Sequence, residues 1–321
     1  LVLKNKKKAW WIRWKLSALS RVSRCSYVLE CVKIPVALLP ESSRGDEEGF
    51  VECNIHVHSG KIAAVLYKDN DHSIPRFRCD GVICLPCFSD SHAHLVKTQC
   101  VPRIRNATKS ISGALNCEIE DQPRWTYQDI SRRMNFSLRC AFHHGSSAVR
   151  THLDGCVAED ENIRAAVYKA FDEARDAYEK LGMTVQGVAN LYLPQYLDEE
   201  FAAAHCERAL SRPGVVLGAY VGNVAETPLA EVSKAMDAMF VKAKAFGVDV
   251  DLHIDETNDS RCRGLVALCD SLEKARKDGY EGHVVLGHAC ALSLQSPETI
   301  KSICERLAAA GRCFVVANPF T

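Results

Sequence analysis

No stretch of about 18 consecutive apolar residues occurs in the sequence, which excludes a simple membrane-spanning helix. Net charge is also lacking: 40 Lys and Arg balance 40 Asp and Glu in 321 residues. That balance leaves no basic footprint for a globally nucleic-acid-binding chain. Methionine is scarce, with four in all and none before Met134, so residue 1 is not read as a translation start. No second C-x-x-C accompanies Cys84-Leu-Pro-Cys87, and without one a zinc ribbon is not read. The chain is too long to need disulfide staples. Its 16 cysteines are therefore read as reduced, partly buried thiols that act as small hydrophobes, as Cys140, Cys269, Cys290, Cys304 and Cys313 illustrate. What remains, 47% apolar and 25% charged, is the make-up of an ordinary globular protein.

Residues 1–26 form a basic leader. Residues 1–25 hold eight Lys or Arg, no acidic residue, and the tryptophans Trp10, Trp11 and Trp14. An organellar transit segment or a surface-membrane helix would have this character, but the preferred reading is a disordered or non-native leader outside the fold. Residues 27–81 read as β-structure. Val51–His58 alternates apolar and polar, Ser59-Gly60 is a turn, and Ile62–Tyr67 pairs back as a hairpin. From residue 82 the rhythm changes. Short apolar runs begin near Val82, Ser147, Thr184, Val215, Val248, His283 and Arg312. Helical stretches separate them, at Glu161–Leu181, Glu199–Ser211, Pro228–Phe246, Arg263–Lys277 and Pro297–Ala310. Strand and helix repeated at about 30–35 residues is the βα unit of a parallel sheet. Seven such strands are counted. The expected fold class is α/β, a (β/α)8 TIM-like barrel without its eighth strand, over residues 82–321. The chain stops just past an apolar run, at Asn318-Pro-Phe-Thr321, so it is read as a fragment.

In such a barrel the C-terminal strand ends face the active site. Here they read Asp90-Ser-His92-Ala-His94, Arg150-Thr-His152-Leu-Asp154, Asp251-Leu-His253-Ile-Asp-Glu256 and Gly287-His288. Five of the 12 histidines thus occupy four strand ends. His92 and His94, two apart in extended backbone, leave on the same side, and with His253 they are expected to hold one divalent ion. His56-Val-His58 has the same spacing but sits beside a turn and is read as solvated. Glu256, three residues past His253, is placed to carry a proton from the nucleophile to a leaving nitrogen, while a bound cation lowers the pKa of its water. Asp255 reads as a solvated loop carboxylate. His288 is expected to hold the attacking water or to stabilise developing charge. His152 either lines the pocket or hydrogen-bonds to a ligand. Three histidines in a nitrogen- and oxygen-rich set suit Zn or Fe(II) alike.

These segments resemble the amidohydrolase superfamily, and within it the cytosine deaminase-like branch. The pieces that carry the resemblance are Leu85-Pro-Cys-Phe-Ser-Asp-Ser-His-Ala-His-Leu95, Val149-Arg-Thr-His-Leu-Asp154, Val250-Asp-Leu-His-Ile-Asp-Glu256, Leu286-Gly-His288 and Val315-Val-Ala-Asn-Pro319. The resemblance implies a distorted barrel of the metal-dependent hydrolase type with a small β-sandwich built from both chain ends. It maps the metal ligands onto His92, His94 and His253, with a further Asp expected on an eighth strand. It maps the proton shuttle onto Glu256 and the water-contacting histidine onto His288. The glutamine that binds the substrate amide maps onto Gln195. The expected strand Val215–Gly222 offers no lysine for a bridging carbamate, which favours a single metal.

The expected function is hydrolysis of a carbon–nitrogen bond outside peptides. Hydroxide formed on the cation would attack a cyclic amidine or amide in a pyrimidine- or triazine-like small molecule. The alternatives are another amidohydrolase substrate, such as an N-alkyl amide or lactam, and an inactive truncated homologue with a binding role. No nucleic acid or membrane partner is expected, homo-oligomer formation is left open, and the expected compartment is the cytoplasm.

Overall fold

The computed structural model describes residues 26–41, 43–67 and 73–318. Residues 1–25 of the basic leader, His72 and Pro319 lie outside those residues. The chain divides into two compact units between Cys87 and Phe88.

The first unit is one four-stranded sheet: β1 (Ser26–Pro35), β2 (Phe50–His58), β3 (Lys61–Leu66) and β4 (Arg76–Ile83), in the order β3-β2-β1-β4. Along β2 the period-2 pattern holds, with Val51, Cys53, Ile55 and Val57 buried together with Leu29, Val32, Cys79 and Val82. His58 is exposed, its Nδ1 2.6 Å from the Ser26 hydroxyl.

The second unit holds seven parallel strands: β5 (Phe88–Ala93), β6 (Ser146–His152), β7 (Thr184–Tyr192), β8 (Val215–Tyr220), β9 (Val250–Ile254), β10 (Val284–His288) and β11 (Cys313–Val316). They lie side by side in chain order. Between them run α1 (Ile111–Asp121), α2 (Tyr127–His143), α3 (Glu161–Glu179), α4 (Glu199–Leu210), α5 (Leu229–Phe246), α6 (Gly264–Lys277) and α7 (Pro297–Ala310). One cavity is lined both by Ser89–His92 of β5 and by Val316 at the end of β11 with Ala317 and Asn318 beyond it. The sheet therefore curls until its two edges face each other, giving a TIM-like barrel short of one strand among the described residues. Every residue of β9 and β10 is buried, as expected of strands covered on both faces.

The helices form where apolar residues recur every three or four positions. On α5, Val232, Ala235, Met236, Met239, Phe240 and Ala243 form one buried stripe, packed with Leu217, Leu252, Leu268 and Leu272 in the largest core cluster. Asp160, Asp198 and Ser296 accept from backbone N–H groups at the starts of α3, α4 and α7. Gly247 ends α5 in left-handed backbone at φ 65°, which a residue with a Cβ adopts only at a cost.

Two elements differ from the sequence reading. The apolar run at Val82 does not open the barrel: Val82 and Ile83 finish β4 of the small sheet. The first barrel strand is instead the polar segment Phe88–Ala93, mostly exposed. It is the edge of the sheet, paired only with β6, so apolar content could not mark it. The helix α1 was not expected, because Ser112, Gly113 and Asn116 weaken its propensity; the Ser110 hydroxyl, accepting from Gly113 N at 3.1 Å, starts it. No described helix is long and apolar enough to cross a membrane.

His205 on α4 is buried, its ring Nε2 3.3 Å from the Ala189 carbonyl. Burial lowers its pKa from 6.5 to about 4. A depressed histidine contributes stability above its unfolded pKa and loses it as pH falls through the folded one. We expect unfolding stability to drop between pH 6.5 and 4, by at most about 1.4 kcal/mol per pH unit from this group. Denaturant titrations of wild type and His205→Gln should show a shallower drop in the variant; parallel curves would contradict the assignment.

Candidate metal centre and pocket

Four imidazoles converge at the C-terminal ends of β5, β6 and β9. One ligand atom from each of His92, His94, His152 and His253 lies within 4.8 Å of all the others. The His94 and His253 Nε2 atoms are 3.1 Å apart. Two nitrogens bound to one tetrahedral zinc at 2.0–2.1 Å would be separated by about 3.3 Å. His92 Nε2 and His253 Nδ1 are buried without a hydrogen-bond partner, an expensive state unless something else satisfies them. The donor set therefore fits a divalent metal ion.

The surroundings prepare these rings as ligands. Burial, with His94 and His288 adding to it, lowers the His92 pKa to about 3. Burial likewise holds His152 and His253 well below their ordinary value. All three are neutral near pH 7, which metal binding requires. His94 Nδ1 donates to both carboxylate oxygens of Asp154 at 3.0 Å, which leaves the Nε2 lone pair facing His253. Burial alone would raise the Asp154 pKa, but His94 and Lys97 overcome it and hold the carboxylate ionised. His152 is fully buried, with its Nε2 3.1 Å from His92 Nδ1 and its Nδ1 2.9 Å from the Asn190 side-chain amide. Beneath it, Arg150 donates to Asp251 at 3.0 Å and to the Gln186 carbonyl. Leu95 N donates to the Thr151 hydroxyl at 2.9 Å and ties the end of β5 to β6.

Glu256 and His288 flank the cluster. A Glu256 carboxylate oxygen lies 3.4 Å from His288 Nδ1, and burial raises the Glu256 pKa, a shift in the direction that suits a group taking up a proton. The His288 ring lies 4.8 Å from that of His92 and 5.2 Å from that of His253, between centroids. The backbone turns sharply here: Asp255, His288 and Ala289 all have left-handed φ, between 51° and 73°. Asp255 is not solvated as its loop position suggested. It is buried and accepts from Gly264 N at 2.8 Å and Leu265 N at 3.0 Å, fixing the start of α6. Only the chain fold, which returns α6 to that loop, could show this.

A cavity of about 260 Å³ opens beside the histidines. His94, His253 and Glu256 line it, with Tyr192, Tyr220 and the α1 residues Ile111, Ala114, Leu115 and Glu118. Gln195 is not among its lining residues. Its side-chain oxygen accepts from Tyr192 N at 2.9 Å, within the short 3-10 turn Leu193–Leu197. Asn190, Asp154, Lys97 and Glu118 were not expected at the site. Asp154 had a signal in Arg150-Thr-His-Leu-Asp154, whereas Asn190 lies within β7, Lys97 in a loop and Glu118 on a helix without a clear sequence pattern.

The chain is 30% identical over 306 residues, 94% of its own length, to a pterin deaminase of Rhizobium rhizogenes. It belongs to the amidohydrolase superfamily. Within the superfamily it is also 26% identical, over 65% of its length, to an N-isopropylammelide isopropyl amidohydrolase of a Pseudomonas species. A solved 5-methylcytosine deaminase from Klebsiella pneumoniae superposes on 89% of the chain with a TM-score of 0.70 at 18% identity. These similarities are consistent with the cytosine deaminase-like branch. The chain spans 66% of the pterin deaminase, 50% of the Pseudomonas protein and 64% of the Klebsiella structure. No protein-family model matches the chain.

Gly287 leaves room for the His92 ring. A Cβ there would stand 2.8 Å from His92 Cε1 and 3.0 Å from the Leu252 carbonyl. Gly287→Ala should therefore turn His92 and weaken metal binding about 10–100-fold. Competition against a chelator reads this, and unchanged affinity would contradict the ligand assignment.

Proposed function

We propose that this protein hydrolyses a carbon–nitrogen bond in a small nitrogen heterocycle, releasing ammonia or an amine, with His92, His94 and His253 holding one divalent ion, Zn or Fe(II). The observation that carries the reading is the meeting of these three imidazoles with Glu256 and His288, beside a cavity that His94, His253 and Glu256 line. A bound ion supplies a water of lowered pKa and polarises the bond attacked. The rest falls to the chain. Glu256 takes the proton as the water oxygen adds to the sp2 ring carbon, and returns it to the leaving nitrogen as the C–N bond breaks. Burial raises its pKa, which favours taking up the proton. His288, 3.4 Å from Glu256, orients the water and stabilises charge on the ring. His152 and Asn190 hold His92, and Asp154 holds His94. Tyr192 and Tyr220 offer aromatic surface to a flat ring.

Pyrimidines and triazines fit this reading on chemical grounds. The relationship to a pterin deaminase adds pterins to the substrates worth testing. Ammonia release should be measured over a panel of cytosines, pterins and aminotriazines with the zinc- or iron-loaded protein. Glu256→Gln should lower turnover at least 100-fold with metal content unchanged. Retained turnover in the variant would refute the shuttle, and no release from any member of the panel would refute the function.

A further inference from the structure

The cavity wall carries a charged group that the hydrolytic chemistry does not use. Lys97, on the loop after β5, sends its ammonium to Glu118 Oε2 at 3.0 Å and to Asp154 Oδ1 at 3.2 Å. Asp154 in turn holds His94. Lys97, Glu118 and Asp154 all line the cavity. Glu118 stands one helical turn beyond Ala114 and Leu115 on the face of α1 that covers the cavity. Its side chain is only 16% exposed. Burying a carboxylate is costly unless it is paired and hydrogen-bonded, and here it shares a single lysine with a second carboxylate. Lys97 has three N–H groups; two are used by these contacts and one remains. The wall thus presents a donor beside an acceptor.

We propose that Lys97 and Glu118 read a cis-lactam edge of the substrate ring, Lys97 donating to the exocyclic carbonyl oxygen and Glu118 accepting from the adjacent ring N–H. The inference deepens the function proposed above and rests on it. It assigns to this pair the amide-reading role that the superfamily resemblance gave to Gln195, which is not among the lining residues and whose side-chain oxygen is committed to Tyr192 N. A donor and an acceptor fixed side by side match an O=C–N–H edge and reject its N-methylated form, in which the donor is replaced by a bulky apolar group. The apolar residues Ile111, Ala114 and Leu115 pack against the ring and leave Glu118 as the polar contact offered by α1.

The test is a binding comparison in the metal-loaded full chain carrying Glu256→Gln, which stops turnover. Calorimetry would compare 2-amino-4-oxopteridine with its 3-methyl derivative, and cytosine with 1-methylcytosine. At least one free lactam should bind at least about tenfold more tightly than its N-methyl form, the worth of one lost buried hydrogen bond. Adding Glu118→Ala or Glu118→Gln should bring that ratio below about threefold by weakening the free lactam and not the methylated ring, with metal content unchanged. The methyl comparison in the parent protein needs no change at Glu118, so a poorly folded variant does not remove the test. Equal binding of the two forms in the parent, or a ratio that survives both Glu118 substitutions, would overturn the inference. Ammonia release by the protein without Glu256→Gln is read separately. Discrimination without release would leave the lactam reading standing and remove the hydrolytic one.

Discussion

The structure depends on crowding neutral imidazoles against one another at the rim of the barrel. His92, His94, His152 and His253 bring ring nitrogens within 4.8 Å of one another, and burial keeps His92, His152 and His253 from protonating. Rings so close, with buried nitrogens that no protein group satisfies, are an unfavourable arrangement unless a cation sits among them. The parallel strands make the arrangement available. Each contributes one or two residues at the same edge, and the sheet's curl turns those edges inward.

Around that centre the scaffold is organised to fix ring orientation. Asp154 sets His94, Asn190 and His152 stand in line with His92, and Gly287 leaves the space His92 occupies. Three residues with left-handed backbone, Asp255, His288 and Ala289, lie where β9 and β10 end. The turns are held from outside the site: Ala289 N donates to the Ile254 carbonyl at 3.0 Å, and Asp255 fastens α6. Such strain persists only where neighbours over-determine it, and here it places Glu256 and His288 beside the histidines. The ion pairs of Lys97 continue the same network from His94 through Asp154 to Glu118 on the cavity wall.

Much of this was legible in the residues because strand ends in a parallel barrel are short and local. His152, His253 and His288 each close a segment whose apolar run marks it as a strand, and His92-Ala-His94 stood out by its two-residue spacing, so their convergence followed from the fold class. The helices α3 to α7 were readable from their apolar stripes to within about two residues, as is usual for helix ends. Three things were not readable. The first barrel strand is polar, because it is the sheet edge, and the apolar run before it belongs to the small sheet. The helix α1 has weak propensity and is held by Ser110 and by its place over the cavity, so Glu118 had no pattern to announce it. Asp255 and Gln195 owe their roles to backbone groups in the α6 start and in the 3-10 turn, contacts that a residue type cannot disclose.

The central claim is that His92, His94 and His253 share one ion. X-ray absorption at the metal edge of the loaded protein tests it most directly. The account predicts at least three imidazole nitrogens near 2.0–2.1 Å, with the outer-shell scattering of the rings, and loss of one such neighbour when His253 is replaced by alanine. A metal surrounded only by oxygen, or a nitrogen shell unaltered by that replacement, would contradict it.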